Sequence, residues 1–155
     1  MADAQALPEP SAARRQWMAI LARSSGASLD ALLEHRQPLP NYTRLRGPEI
    51  GLVMVRGRIG GRGGPFNLGE MTVTRCTVRI GSGQIGHAYV AGRDARQAEL
   101  AALLDAWLQD PGAAPALRTA VIEPLAAAQQ TRRDEINAKA AATKVQFFAM
   151  QNMRS

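Results

Sequence analysis

Cysteine is almost missing from this chain. Cys76 stands alone, which excludes an internal disulfide and a cysteine-built metal cluster within one chain. Lysine is nearly as scarce, Lys139 and Lys144 being the whole complement, so the basic character rests on guanidinium groups. The two histidines, His35 and His87, have no nucleophile beside them, and with scattered carboxylates they make no metal-ligand spacing. Aromatic residues are only 5% of the 155, and much of the 46% hydrophobic fraction is alanine. Alanine favours helix but buries little surface per residue, so a partner surface that completes the burial is one expectation. No apolar run reaches about 18 residues, the length that would suggest a membrane span. Residues 1–10 hold acids and prolines without a basic n-region or an apolar h-region, so no secretory signal is expected. A lone thiol suits a reducing compartment, and the cytoplasm is the expected location.

What the chain does have is arginine, unevenly placed. Between Arg36 and Arg93 nine arginines face only Glu49 and Glu70, a local balance of +7 in a chain whose net charge is +6. Guanidinium grips phosphate and carboxylate bidentately and tolerates interface burial better than ammonium. The segment therefore suits a phosphate-bearing ligand or an acidic partner, and equally a solvated basic face.

The hydrophobic spacing predicts an α+β fold: an antiparallel sheet of about four strands, flanked by N-terminal helices and two C-terminal helices. Residues 1–10 read as a disordered lead-in, 11–150 as a single domain and 151–155 as a disordered tail. Ser11 is placed to cap a helix carrying Trp17, Ile20 and Leu21, and Ser28 a second with Leu29, Leu32 and Leu33. Strands are predicted over 42–46 and 50–59, separated by Gly47-Pro48, then from about Gly69 to Ile80 and over 84–91. In the third, Met71 and Val73 share one parity and Cys76, Val78 and Ile80 the other, so a bulge is expected near Thr74–Arg75. Asp94 with Gln97 forms a capping box for a helix striped by Leu100, Leu103, Leu104, Trp107 and Leu108. Pro124 suits the first turn of a last, alanine-rich helix reaching about Thr143.

The segment from Gly81 to Gly86 matches G-x-G-x-x-G, but a strand follows it where dinucleotide binding requires a helix. It is a turn. The glycine-rich loop over residues 57–64 carries more chemistry. Gly60, Gly61 and Gly63 free the backbone amides to turn toward an anion, with Arg56, Arg58 and Arg62 alongside; a loop that docks on a neighbouring chain fits the same residues. Arg75, on a strand with Thr72, Thr74 and Thr77, is a further candidate for phosphate or partner contact. Apolar burial would raise the pKa of Cys76, and no nucleophile is assigned. An arginine-rich sheet that tracks a nucleic-acid backbone is the alternative from another class. With only Tyr42, Phe66 and Tyr89 between 42 and 93 as stacking platforms, that alternative is weak and no nucleic acid is expected.

Arg15-Gln16-Trp17-Met18, Glu49-Ile50-Gly51-Leu52-Val53, Arg58-Ile59-Gly60-Gly61-Arg62-Gly63 and Phe66-Asn67-Leu68-Gly69-Glu70, with Thr72-Val73-Thr74-Arg75, occur in order. Gly86, Gly92-Arg93-Asp94, Ala98-Glu99, Asp105 and Phe147-Phe148 follow. Together these words resemble the PhnG family of phosphonate C–P lyase system proteins, from about Ser11 to Met150. The resemblance implies a cytoplasmic subunit of a carbon–phosphorus lyase core complex, beside the H, I and J subunits and paired mainly with I. It implies a reaction of the whole complex in which alkylphosphonate displaces adenine from the ribose of MgATP, giving ribose 1-methylphosphonate 5-triphosphate. On that basis this chain holds no cofactor or metal of its own, no catalytic residue is carried over to it, and Phe147 and Phe148 are candidates for partner docking. The family usually continues Thr-Met-Val-Arg-Gly after the paired phenylalanines, where this chain has Ala149-Met150-Gln151-Asn152-Met153.

Overall fold

The computed structural model describes residues 11–144; the lead-in, the tail, Phe147 and Phe148 lie outside the described residues. Ser11 caps α1 (Ala12–Ala22) by accepting from the Arg14 amide. The cap of α2 (Gly26–Glu34) is Ser25, accepting from the Ser28 amide, so the cap lies three residues before the predicted one. Gly26 thus opens the helix.

Three strands follow among the described residues, not four: β1 (Tyr42–Arg58), β2 (Pro65–Ile80) and β3 (Ile85–Ala91), antiparallel in the order β1-β2-β3. The two strands predicted on either side of Gly47-Pro48 are one long strand. Register shifts fall between Arg44 and Arg46 and between Arg46 and Glu49, so the Gly-Pro pair is absorbed as a bulge. That is permitted because β1 is an edge strand, where a missing proline N–H costs no ladder bond. The bulge expected near Thr74–Arg75 does not exist, since β2 pairs with β3 in unbroken register from Val73 to Arg79. Thr74 holds the core-facing position there, fully buried, and its hydroxyl donates to Gly92 O at 2.8 Å. A hydrogen-bonded threonine thus replaced the aliphatic residue that the alternation called for.

Helix α3 (Ala95–Trp107) is the centre of the molecule. Asp94 accepts from the Gln97 amide as its cap, but the Gln97 side chain donates to Ala22 O at 3.2 Å instead of closing the box. All residues from Gln97 to Ala106 are buried, so α3 has no wet face. It packs on β2 and β3 on one side and on α1 and α2 on the other. The last helical region starts earlier than Pro124 suggested. A short helix α4 (Ala114–Leu117) runs through a π-helical turn over Arg118–Ile122 into α5 (Glu123–Ala142). Pro124 sits in the first turn of α5, as expected, where its missing N–H costs little.

The carboxylates inside α3 would destabilise it if unpaired, and each is satisfied. Glu99 accepts from the Tyr42 hydroxyl at 2.6 Å and from Arg44 Nε and Nη2 at 2.7 and 3.0 Å, which fastens the start of β1 to the helix. Burial pushes the Glu99 pKa upward, but the Arg44 and Tyr42 hydrogen bonds outweigh it and hold the carboxyl below its usual range. A depressed carboxylate stabilises the fold above its unfolded pKa and loses that contribution as pH falls through the folded value. Acid titration followed by circular dichroism should therefore show less destabilisation below about pH 4 to 5 in Glu99→Gln than in the parent. The difference should be modest, about 1 kcal/mol, because Arg44 is more than half exposed and solvent screens the pair.

Candidate functional site

β3 spans only Val73 to Arg79 of β2, and the helices lie over that same region. The remaining halves of β1 and β2, from Ile50 to Arg58 and from Pro65 to Thr72, form a two-stranded ribbon that projects about 30 Å. No residue from 41 to 72 is buried. A lone hairpin of this kind is marginally stable in water, yet this one is apolar on both faces. Ile50, Leu52 and Met54 share one face with Thr74, Thr72 and Glu70 of β2. Leu52 is 63% exposed, and Ile50 and Met54 are likewise in solvent. Val53 opposite Met71, Val55, and Phe66 opposite Gly57 line the other face. The Phe66 ring covers Gly57, where a Cβ would lie 3.3 Å from it.

At the tip, Gly60 and Gly61 take positive φ of 59° and 74°, a conformation that costs glycine alone no strain. The Gly63 amide donates to Ile59 O at 2.9 Å, and Arg58 Nη1 donates to Gly63 O at 3.2 Å. Arg58 therefore braces the loop, while Arg56 and Arg62 extend into solvent beside Ile59, itself 74% exposed. The candidates Arg56, Arg58, Gly60, Gly61, Arg62 and Gly63 are thus gathered at one end.

Arg75 is not with them. It lies at the root of the ribbon, opposite Glu49 in register, about 30 Å from the tip. Its guanidinium donates to Glu49 at 3.0 Å, and contacts with the Tyr89 hydroxyl and Glu49 hold its pKa above the usual value. The Gly47-Pro48 bulge brings Arg46 to the same side, 3.7 Å from Glu49. His87 lies nearby on β3, its Nδ1 3.2 Å from the Thr77 hydroxyl. Cys76 faces the core, its thiol donating to Arg46 O at 3.4 Å, and burial pushes its pKa up. Among the described residues, no three His, Cys, Asp or Glu side chains are arranged to hold a metal ion. No described helix is long and apolar enough to cross a membrane.

The most highly connected group is one to which the sequence reading assigned no role. Asp105, fully buried, accepts from Arg14 Nε and Nη2 at 3.1 and 2.7 Å, from Trp17 Nε1 at 2.9 Å and from the His87 amide at 2.9 Å. The Trp17 ring in turn lies 5.2 Å beneath the Arg118 guanidinium. The available signal was an acid embedded in an Ala/Leu helix, which requires a buried partner.

Comparison with known proteins places these features. The family described as phosphonate metabolism protein PhnG matches residues 12–153. The chain belongs to the PhnG family. A relative from Rhizobium meliloti (strain 1021), alpha-D-ribose 1-methylphosphonate 5-triphosphate synthase subunit PhnG, is 43% identical over 142 residues. The match covers 90% of this chain and 88% of that protein. Of the motif residues that carry the PhnG resemblance, Trp17, Gly86, Glu99 and Asp105 serve the fold, whereas Ile50 to Val53 and Arg58 to Gly63 build the projecting ribbon.

Proposed function

We propose that this PhnG chain is an accessory subunit of a cytoplasmic carbon–phosphorus lyase core complex. There it assists transfer of alkylphosphonate to the ribose of MgATP with loss of adenine, giving ribose 1-methylphosphonate 5-triphosphate. The observation that carries the reading is the ribbon: two apolar faces over about seven residue pairs, covered by nothing within the described chain. Exposed apolar surface of this extent marks a protein interface. The family match and the relative's name, a subunit of that synthase, supply the chemistry.

In this reading the I subunit is the main partner and takes the ribbon, with the H and J subunits completing the assembly. Arg56, Arg58, Arg62 and the intervening glycines reach partner or phosphate at the tip, and Arg75 steadies the root. Phe147 and Phe148 contribute to docking. The chain itself supplies no catalytic group.

The test is co-purification with the I subunit and release of adenine from ATP. Leu52→Asp should fold like the parent, because Leu52 is solvent-exposed, yet lose co-purification and lower complex activity at least tenfold. Burying one leucine contributes about 1.5–3 kcal/mol, and an unpaired carboxylate in its place adds a desolvation cost. Full adenine release by this chain alone, or undiminished assembly of the variant, would overturn the proposal.

A further inference from the structure

A second feature belongs to the helical layer and uses no residue of the ribbon. Where the end of α1 and the start of α2 meet α5, the surface opens into a cleft of about 450 Å³. Three arginines line it: Arg23 at the end of α1, and Arg132 and Arg133 on α5. None has a side-chain partner among the described residues, and no carboxylate lines the cleft. This contrasts with Arg14, Arg44, Arg75 and Arg96, each paired with an acid.

The walls are held in place. Gln129 Nε2 donates to Ile20 O at 2.8 Å and to Ser24 Oγ at 3.0 Å. Ser24, itself buried, donates to Ile20 O at 2.8 Å. These bonds clamp α5 to the end of α1, so the two walls that carry the arginines are held in a fixed frame. Ser25 and Ser28 add hydroxyls at the rim. Leu125 and Ile136 supply an apolar floor, and Ile136 is 56% exposed with nothing within the described chain covering it.

We propose that this cleft binds an organic phosphate ester, the phosphate among Arg23, Arg132 and Arg133 and the apolar portion against Leu125 and Ile136. Charge selects phosphate over carboxylate. A phosphate monoester carries about −1.5 to −2 near neutrality and offers three strong acceptor oxygens, enough to engage three guanidiniums, whereas a carboxylate has one charge and two oxygens. The floor selects an ester over the inorganic ion, because only an ester gains by burying carbon there.

Calorimetric titration of the full chain with phenyl phosphate, inorganic phosphate and benzoate tests both halves. Phenyl phosphate should bind at least tenfold tighter than either of the others. Arg132→Gln and Arg133→Gln should each weaken it about tenfold, the loss expected for a charge-assisted hydrogen bond. Ile136→Ser should bring its affinity down toward that of inorganic phosphate. Arg93→Gln removes an exposed arginine outside the cleft and should change nothing. Equal binding of the three ligands, or an equal loss in Arg93→Gln, would overturn the proposal, as would variants that lower Tm without altering affinity. Should a variant fail to fold, amide shift mapping on the parent chain decides. Phenyl phosphate must perturb residues 23–28 and 125–136; perturbation elsewhere only, or none, rejects the site.

Discussion

Replacing Asp105 with alanine should lower stability by about 3 kcal/mol, because it strips the acceptor from a partly buried cation, the buried Trp17 indole N–H and the partly buried His87 amide. In the parent, one carboxylate joins α3 to α1 through Arg14 and Trp17 and to β3 through the His87 amide. Alanine leaves the Arg14 head without its counter-charge, although that side chain is only 22% exposed. It also leaves the Trp17 indole N–H facing carbon. Thermal unfolding should report a Tm lowered by on the order of 10 °C for a chain of this size. Asp105→Asn should fall between the two, since the amide oxygen still accepts one bond while the charge is lost. A loss below about 1 kcal/mol in Asp105→Ala would mean that the hub contributes specificity and not stability.

Gly86→Ala should be nearly as damaging for a purely steric reason. Gly86 lies in β3 directly under α3, where a Cβ would overlap the Ala102 carbonyl oxygen and the Ala106 amide nitrogen and come within 2.9 Å of the Ala106 Cβ. Two of these three are backbone atoms, so no side chain can swing away and the helix itself must lift from the sheet. Overpacking of a close-packed interior costs about 1–3 kcal/mol, and a clash with backbone lies at or above the top of that range. Because the obstacle is main chain, Ala106→Gly should not rescue the variant, which denaturant unfolding of the single and double mutants would show. Rescue by that second change would place the obstruction in the Ala106 methyl group instead.

The two changes act on the same helix from opposite directions, one by removing a tie and the other by forcing a gap. Both leave the ribbon's exposed surface intact. Any loss of assembly in these variants should therefore track the unfolded fraction, whereas Leu52→Asp should abolish assembly in a chain that remains folded. That difference separates the motif residues that hold the fold from those that face outward.

Much of the fold was legible because it depends on local chemistry. Ser11 and Asp94 cap their helices through amides three residues on, and Gly81-Ser82-Gly83 turns the chain between β2 and β3. The errors have one kind of cause. Gly47-Pro48 reads as a break until β1 is known to be an edge strand; Thr74 reads as a slip in the alternation until Gly92 O is seen to receive its hydroxyl. In both cases a residue that local rules treat as disruptive is accommodated by its place in the sheet or by a neighbour distant in sequence. Pro124, by contrast, sits in the first turn of α5 as its position predicts.

The candidate site divides in the same way. The glycines and arginines from Arg56 to Gly63 are contiguous, so their clustering at a loop was visible before any fold was known, and the grouped motif words were enough to suggest the PhnG family. Placement of Arg75 at the far end of the ribbon depended on strand register, and pairing of Asp105 with Arg14, 91 residues earlier, on helix packing. The cleft lined by Arg23, Arg132 and Arg133 likewise exists only because Gln129 fastens α5 to α1. Composition, caps, turns and family words are properties of neighbouring residues and are written in the chain. Which charges meet, and which apolar faces stay uncovered, depends on contacts between residues far apart in the chain, and only the folded molecule decides them.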